Sequence, residues 1–386
     1  MLTTIIVFIL VLSVLVFVHE FGHFFTARRL GVKAEEFGFG FPPRAIGLYR
    51  NTQKKWRLVK GTKSAEELSQ ATDENLRPDP QATIYSLNWL PLGGFVEIKG
   101  QDGEDKEASD SFASKKIWQR VIILSAGVIM NVILAWGLFS VGYLLGLPQE
   151  TSQASSGAII SESAVLVYSV LPNSPAEAAG LEPGDVITAV GAEAVLGEES
   201  LPELINATQG EEVVLTVERG ETNLSIPIAA SVDDQGRATI GISIFSTGLV
   251  RYPFWQAIGE GAKTTGLMLK EIVVAFGSLI GQLVTGQSVS GQLAGPVGIA
   301  NITGDAARLG IVYLLQLTAL LSLNLAIINI IPFPALDGGR ILFLIIEKLR
   351  GRPVKQETEA IIHNLGFMLL MVLILLVTYK DIVRLF

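Results

Sequence analysis

Residues 1–29 read MLTTIIVFILVLSVLVFVHEFGHFFTARR, and they decide the fold class. From Leu2 to Val18 the run is apolar and uncharged, and apolar character resumes at Phe21, Phe24 and Phe25 before Arg28 and Arg29. At about 1.5 Å of rise per residue, such a helix crosses the hydrocarbon layer of a bilayer. No Lys or Arg precedes the run and no small-x-small site follows it, so it reads as a retained span rather than a cleaved signal peptide. Further spans are expected from about Ile117 to Leu147, from Ile311 to Ile331 and from about Leu365 to Val377. In 263–286 the charges Lys263, Lys270 and Glu271 leave too short an uncharged run to cross, and apolar residues from Leu269 onward recur at helical spacing. That segment reads as an amphipathic helix, which leaves four spans.

Composition agrees with a membrane protein. Of 386 residues, 49% are hydrophobic and 17% charged, whereas a soluble domain carries about a quarter charged residues. The net charge of -8 argues against nucleic acid as a partner. The absence of cysteine removes disulfides, thiolate metal sites and thiol nucleophiles, so any metal must be held by His, Asp or Glu.

Charge asymmetry sets the expected orientation. Sixteen Lys and Arg fall between Arg28 and Arg120, but only Arg219, Arg237 and Arg251 lie between Glu150 and Arg251, against some fifteen acids. The positive-inside rule makes the first region cytoplasmic and the second extracytoplasmic. The basic loop holding Arg340, Lys348, Arg350, Arg352 and Lys355 returns to the cytoplasm, so both termini are expected outside.

The chemistry is expected in His19-Glu20-Phe21-Gly22-His23. On a helix, residues i and i+4 share a face, so both imidazoles can converge on one ion while Glu20 stands beside it, placed to activate a water. Ionisable groups at membrane depth are costly and usually functional. Catalytic zinc needs a third protein ligand. His363 reads as a solvated or packing histidine. Asp337, in Asn329-Ile-Ile-Pro-Phe-Pro-Ala-Leu-Asp-Gly-Gly339, is the stronger candidate, because Pro332 and Pro334 interrupt the helix and Gly338 and Gly339 permit a turn. An N-cap role for Asp337 ahead of a helix from Arg340 is the competing reading.

Between the second and third spans, short β-rich runs at Val165–Val170, Val186–Val190, Val213–Val217 and Leu224–Ile228 indicate a small separate domain. The stretch Leu171-Pro-Asn-Ser-Pro-Ala-Glu-Ala-Ala-Gly-Leu-Glu-Pro-Gly-Asp-Val-Ile187 resembles the short helix and turn of a PDZ domain, whose groove takes a peptide as an added strand. The His-Glu-Phe-Gly-His motif together with Asn329 to Gly338 then resembles the site-2 proteases, intramembrane zinc metalloproteases of the bacterial type with one PDZ domain.

That resemblance covers nearly the whole chain. It implies Zn2+ held by His19, His23 and Asp337, Glu20 as general base, and substrate binding by Asn329 and Asn324. Pro91-Leu-Gly-Gly-Phe-Val96 resembles the family's membrane-dipping β-hairpin, which implicates Gly93, Gly94 and Phe95. Leu293-Ala-Gly-Pro-Val-Gly298 resembles the loop before the third span, with Ala294 where relatives often have Ser. The second span has Ala126-Gly127-Val128 followed by Asn131, where the family commonly has Gly-Pro.

The expected organisation is therefore a polytopic α-helical membrane protein with an inserted extracytoplasmic β-rich PDZ-like domain. Its parts are a first span with the histidines (1–30), a cytoplasmic region with a hairpin (31–114), a second span (115–148), the PDZ-like domain (160–246), an amphipathic helix and loop (254–308), a third span (309–339), and a cytoplasmic loop with the fourth span (340–386). The expected function is cleavage of transmembrane segments in a bacterial inner (plasma) membrane. The expected partners are the lipid bilayer and single-span membrane proteins, such as anti-sigma factors, or signal-peptide remnants. A non-catalytic PDZ membrane scaffold is the alternative. A transporter is disfavoured, since no inverted repeat is visible.

Overall fold

The computed structural model describes residues 2–61, 63, 65–70, 72–195, 197, 199–220, 222–232, 238–286 and 295–383. Leu293 and Ala294 lie outside the described residues. The chain divides into two compact units, residues 1–139 with 261–386, and residues 140–260.

The first unit opens with α1 (Leu2–Arg29). Arg28 and Arg29 complement the carbonyl end of this helix, and Gly31, at φ 71°, supplies the left-handed residue that closes it. Three strands follow, β1 (Ala34–Arg50), β2 (Trp56–Lys60) and β3 (Ile84–Ile98), with the short helix α2 (Ala65–Ser69) between the last two. The sheet order is β2-β1-β3, but the long strands double back. Phe37 pairs with both Val96 and Tyr85, and Tyr85 pairs in turn with Leu48. Among the described residues, 94–98 therefore lies at an outer edge of the sheet. Helix α3 (Ile117–Leu145) runs antiparallel to α1. The sense is given by His23 meeting Ile123 while His19 meets Asn131. Contact is close because Gly22 has no Cβ; one placed there would sit 2.4 Å from the Ala126 carbonyl oxygen.

The second unit is β-rich. Strands β4 (Leu147–Glu150), β5 (Ile159–Val170), β6 (Val186–Val190), β7 (Glu193–Ala194), β8 (Glu212–Arg219), β9 (Thr222–Ala229) and β12 (Ile242–Arg251) form one sheet ordered β4-β12-β5-β6-β8-β9, with β7 beside β6. A separate pair is made by β10 (Ser231–Val232) and β11 (Ala238–Thr239). The four strands read from the sequence fall within β5, β6, β8 and β9. Helix α4 (Pro175–Ala178) starts where Ser174 accepts from the Glu177 N–H and Pro175 fills the first turn. With α5 (Ser200–Ala207), the sheet encloses a core that includes Val165, Val167, Ile187, Leu201, Leu215 and Val217.

The chain continues through α6 (Phe254–Val284), α7 (Pro296–Leu309), α8 (Ile311–Ile330), α9 (Asp337–Arg350) and α10 (Gln356–Val383). Five helices, α1, α3, α6, α8 and α10, are long and apolar enough to cross a membrane, against the four spans expected. The difference is α6. It is a continuous helix of 31 residues that carries Lys263, Lys270 and Glu271 and is still long and apolar enough to cross. Helix α7 lies against the start of α1, where Gly304 meets Thr4. Its own N-terminus meets the end of α10, where the Gly298 N–H donates to the buried Asp381 carboxylate at 2.8 Å.

Candidate metal centre

His19 and His23 lie one helical turn apart on α1, in its contact with α3, and both are buried. Asp337 is brought to them by the break between α8 and α9. Ile331 leaves the helix, and Gly338 and Gly339 let the chain fold back on itself. A Cβ at Gly338 would lie 2.2 Å from the Ile331 carbonyl oxygen, and one at Gly339 would lie 2.3 Å from that of Phe333. Asp337 is the first residue of α9 and Leu336 occupies the cap position, so Asp337 is not the N-cap.

Nε2 of His19 and Nε2 of His23 stand 3.0 and 3.3 Å from Oδ2 of Asp337, and 3.2 Å from each other. Nδ1 of His23 is 2.8 Å from the Ile123 carbonyl oxygen, so its proton is committed there and Nε2 presents a lone pair. Electron pairs facing one another at such range repel unless a cation lies between them. The edge of a zinc tetrahedron with bonds of about 2.0–2.1 Å is about 3.3 Å, and the three donors have that spacing. This geometry fits a zinc ion with one position open.

Support for the imidazoles comes from residues whose part was not evident in the sequence. The Asn131 amide lies 3.2 Å from Nδ1 of His19, and its Oδ1 is buried without a partner. Turned by 180° about its terminal bond, the amide places Oδ1 where it accepts from the His19 Nδ1–H and frees Nε2 for a metal. The Ser322 hydroxyl of α8 donates to the Asn131 carbonyl at 2.8 Å, with both residues fully buried. Gly127 leaves room for the rings, since a Cβ there would sit 2.5 Å from Nε2 of His23. A lone Asn in the apolar face of a span was the available signal.

Glu20 is half-buried beside the triad. Strand β3 reaches it through Gly94, whose missing Cβ would stand 3.4 Å from Cβ of Glu20 and 2.8 Å from Cα of Phe17. Gly93 presses against Val16, and its N–H donates to the Ser13 hydroxyl, which itself donates to the Pro91 carbonyl. Phe95 pairs with Gly38 on the inner side. Asn329 lies half-buried in the last turn of α8. The Asn324 amide donates to the Leu320 carbonyl of its own helix at 2.9 Å. His363 is not solvated; its Nδ1 accepts from the Ala335 N–H at 2.9 Å.

The model of peptidase family M50 matches residues 7–59 and 76–373. This chain belongs to that family. It is 31% identical to the regulator of sigma-W protease RasP of Bacillus subtilis, over 99% of each chain. Zinc metalloprotease RasP of Shouchella clausii is 32% identical over the full length of both. The crystal structure of the PDZ domain of an SdrC-like protein from Listeria monocytogenes resembles 22% of this chain and 92% of that one, at 26% identity and TM-score 0.21. In this member of the family, ligand atoms of His19, His23 and Asp337 lie within 4.8 Å of one another.

Proposed function

We propose that the chain is an intramembrane zinc endopeptidase in which His19, His23 and Asp337 hold the metal and Glu20 is the general base. The convergence of these three side chains at the spacing zinc requires is the observation that carries the reading. When bound, the ion supplies Lewis acidity toward the scissile carbonyl and the attacking water. Glu20 takes a proton from that water and delivers it to the leaving amine. A helical substrate must first be opened, since its peptide bonds are closed by their own hydrogen bonds. The edge that starts at Gly94 and Phe95, beside Glu20 and anchored to α1 through Gly93, is proposed to offer backbone groups to an extended segment. Asn329 and Asn324 are proposed to orient that segment.

Membrane proteins are the substrate class. The name of the Bacillus subtilis relative, a regulator of sigma-W protease, supports membrane-anchored regulators of transcription as substrates here. The sheet belongs at the bilayer surface, because Phe41, Trp56, Leu87, Trp89 and Leu90 are all exposed. The proposed location is a bacterial plasma membrane, with the basic region 28–120 inside and 150–251 outside. Four crossings are favoured because Lys263, Lys270 and Glu271 shorten the uncharged run of α6.

The test is Glu20→Gln in purified full-length protein. Zinc should stay near one per chain while cleavage falls by about 10²–10⁴-fold. His19→Ala, His23→Ala and Asp337→Ala should lower zinc content as well. Full activity in Glu20→Gln rejects this mechanism, and a wild-type chain without zinc or cleavage leaves a peptide-binding scaffold.

A further inference from the structure

We propose that His363 is a positioning residue for the metal centre, holding the Asp337 carboxylate in place from α10. This rests on Asp337 being a zinc ligand. Ala335, two residues before Asp337, has φ 78°, a left-handed conformation that costs a residue with a Cβ of order 1 kcal/mol and persists only where its surroundings hold it. Two contacts from α10 do so. The Ala335 N–H donates to Nδ1 of His363 at 2.9 Å. Gly366, one turn farther on, admits Pro334 so closely that a Cβ would stand 2.4 Å from Cβ of Pro334 and 2.6 Å from its carbonyl oxygen.

The ring itself is fixed. It packs against Phe343 of α9 with centroids 5.4 Å apart. Because Nδ1 accepts, the neutral ring carries its proton on Nε2, and Nε2 is buried with no hydrogen-bond partner; Glu359 Oε1 is 3.9 Å away. Leaving a polar nitrogen unpaired in that position is costly. The bond to Ala335 is what the imidazole provides in return. On the other side of Asp337, Arg340 reaches the Gln101 carbonyl at 3.2 Å and the Asp102 carboxylate at 3.1 Å. The ligand thus sits on a short segment tied at both ends, and the upstream tie runs through His363.

The experiment compares His363→Asn with His363→Leu in the full-length, detergent-purified, zinc-loaded enzyme. Asn and Leu are nearly isosteric, and Asn alone retains an acceptor near the Nδ1 position. Zinc release to an excess of chelator and the steady-state kinetics of a transmembrane peptide are measured for each. His363→Leu should release zinc about tenfold faster and lower kcat about tenfold, with KM within about twofold. His363→Asn should stay within about threefold of wild type on both. Equal behaviour of Asn and Leu, whether both impaired or both normal, overturns the proposal and leaves a packing role. Should the Leu variant fail to fold, His363→Ala is compared with His363→Asn under the same criteria. Zinc-free, inactive wild-type protein would instead defeat the protease reading, a result distinct from either.

Discussion

At the scale of single residues, the two histidines were legible because their spacing is set by helix geometry alone, whereas the groups that orient them come from other helices. Asn131 reaches His19 across the α1–α3 contact and is itself held by Ser322 of α8. No periodicity in one helix announces such a meeting. His363, read as a solvated or packing histidine, packs against Phe343, and its bond to Ala335 was hidden for the same reason, since that partner lies 28 positions away in a turn. If Asn131 orients His19 as a metal ligand, Asn131→Ala should weaken zinc binding by about 10–100-fold while leaving the helical content unchanged. Competition with a chelator of known affinity measures this. Zinc affinity within twofold of wild type would show that the amide merely fills the helix contact.

At the scale of elements, the spans and the strands of the inserted domain were readable from apolar runs and β-branched clusters, but the extent of α6 was not. Charges at Lys263 and Glu271 broke the apolar run, although neither residue interrupts a helix. The doubling of β1 and β3 was also hidden, because a residue paired on both sides carries no mark in its own neighbourhood. Within the inserted domain, Asp185 illustrates a tie between elements. The Arg219 guanidinium of β8 donates to both its carboxylate oxygens at 2.7 and 2.8 Å, and these bonds hold its pKa below the usual carboxylate range. A pKa depressed by folding gives stability that is present above the unfolded value of about 3.9 and disappears as pH falls through the lower folded value. Asp185→Asn should therefore destabilise the domain at pH 7 by roughly 1–3 kcal/mol and make its stability less sensitive to pH between 5 and 2. Hydrogen exchange in β6 and β8 of the full-length protein, corrected for intrinsic rates, reads both effects. An unchanged pH dependence would place the acid sensitivity elsewhere.

At the scale of the whole molecule, the site depends on topology, since α1 and α8 must enter the membrane in the same direction for Asp337 to meet the histidines at one depth. Charge asymmetry sets the expected side, and whether α6 crosses sets the parity of the spans. The natural chain has no cysteine, so single cysteines report sidedness without background. Cysteines replacing Ser200 and Thr285 should react with a membrane-impermeant thiol reagent in intact cells, and those replacing Lys60 and Lys355 only after lysis. Thr285 carries the discriminating result because it lies just beyond α6 and is exposed. Protection of Thr285→Cys with labelling of Ser200→Cys would make α6 a fifth crossing, and labelling of Lys60→Cys in intact cells would invert the orientation and move the zinc to the opposite leaflet.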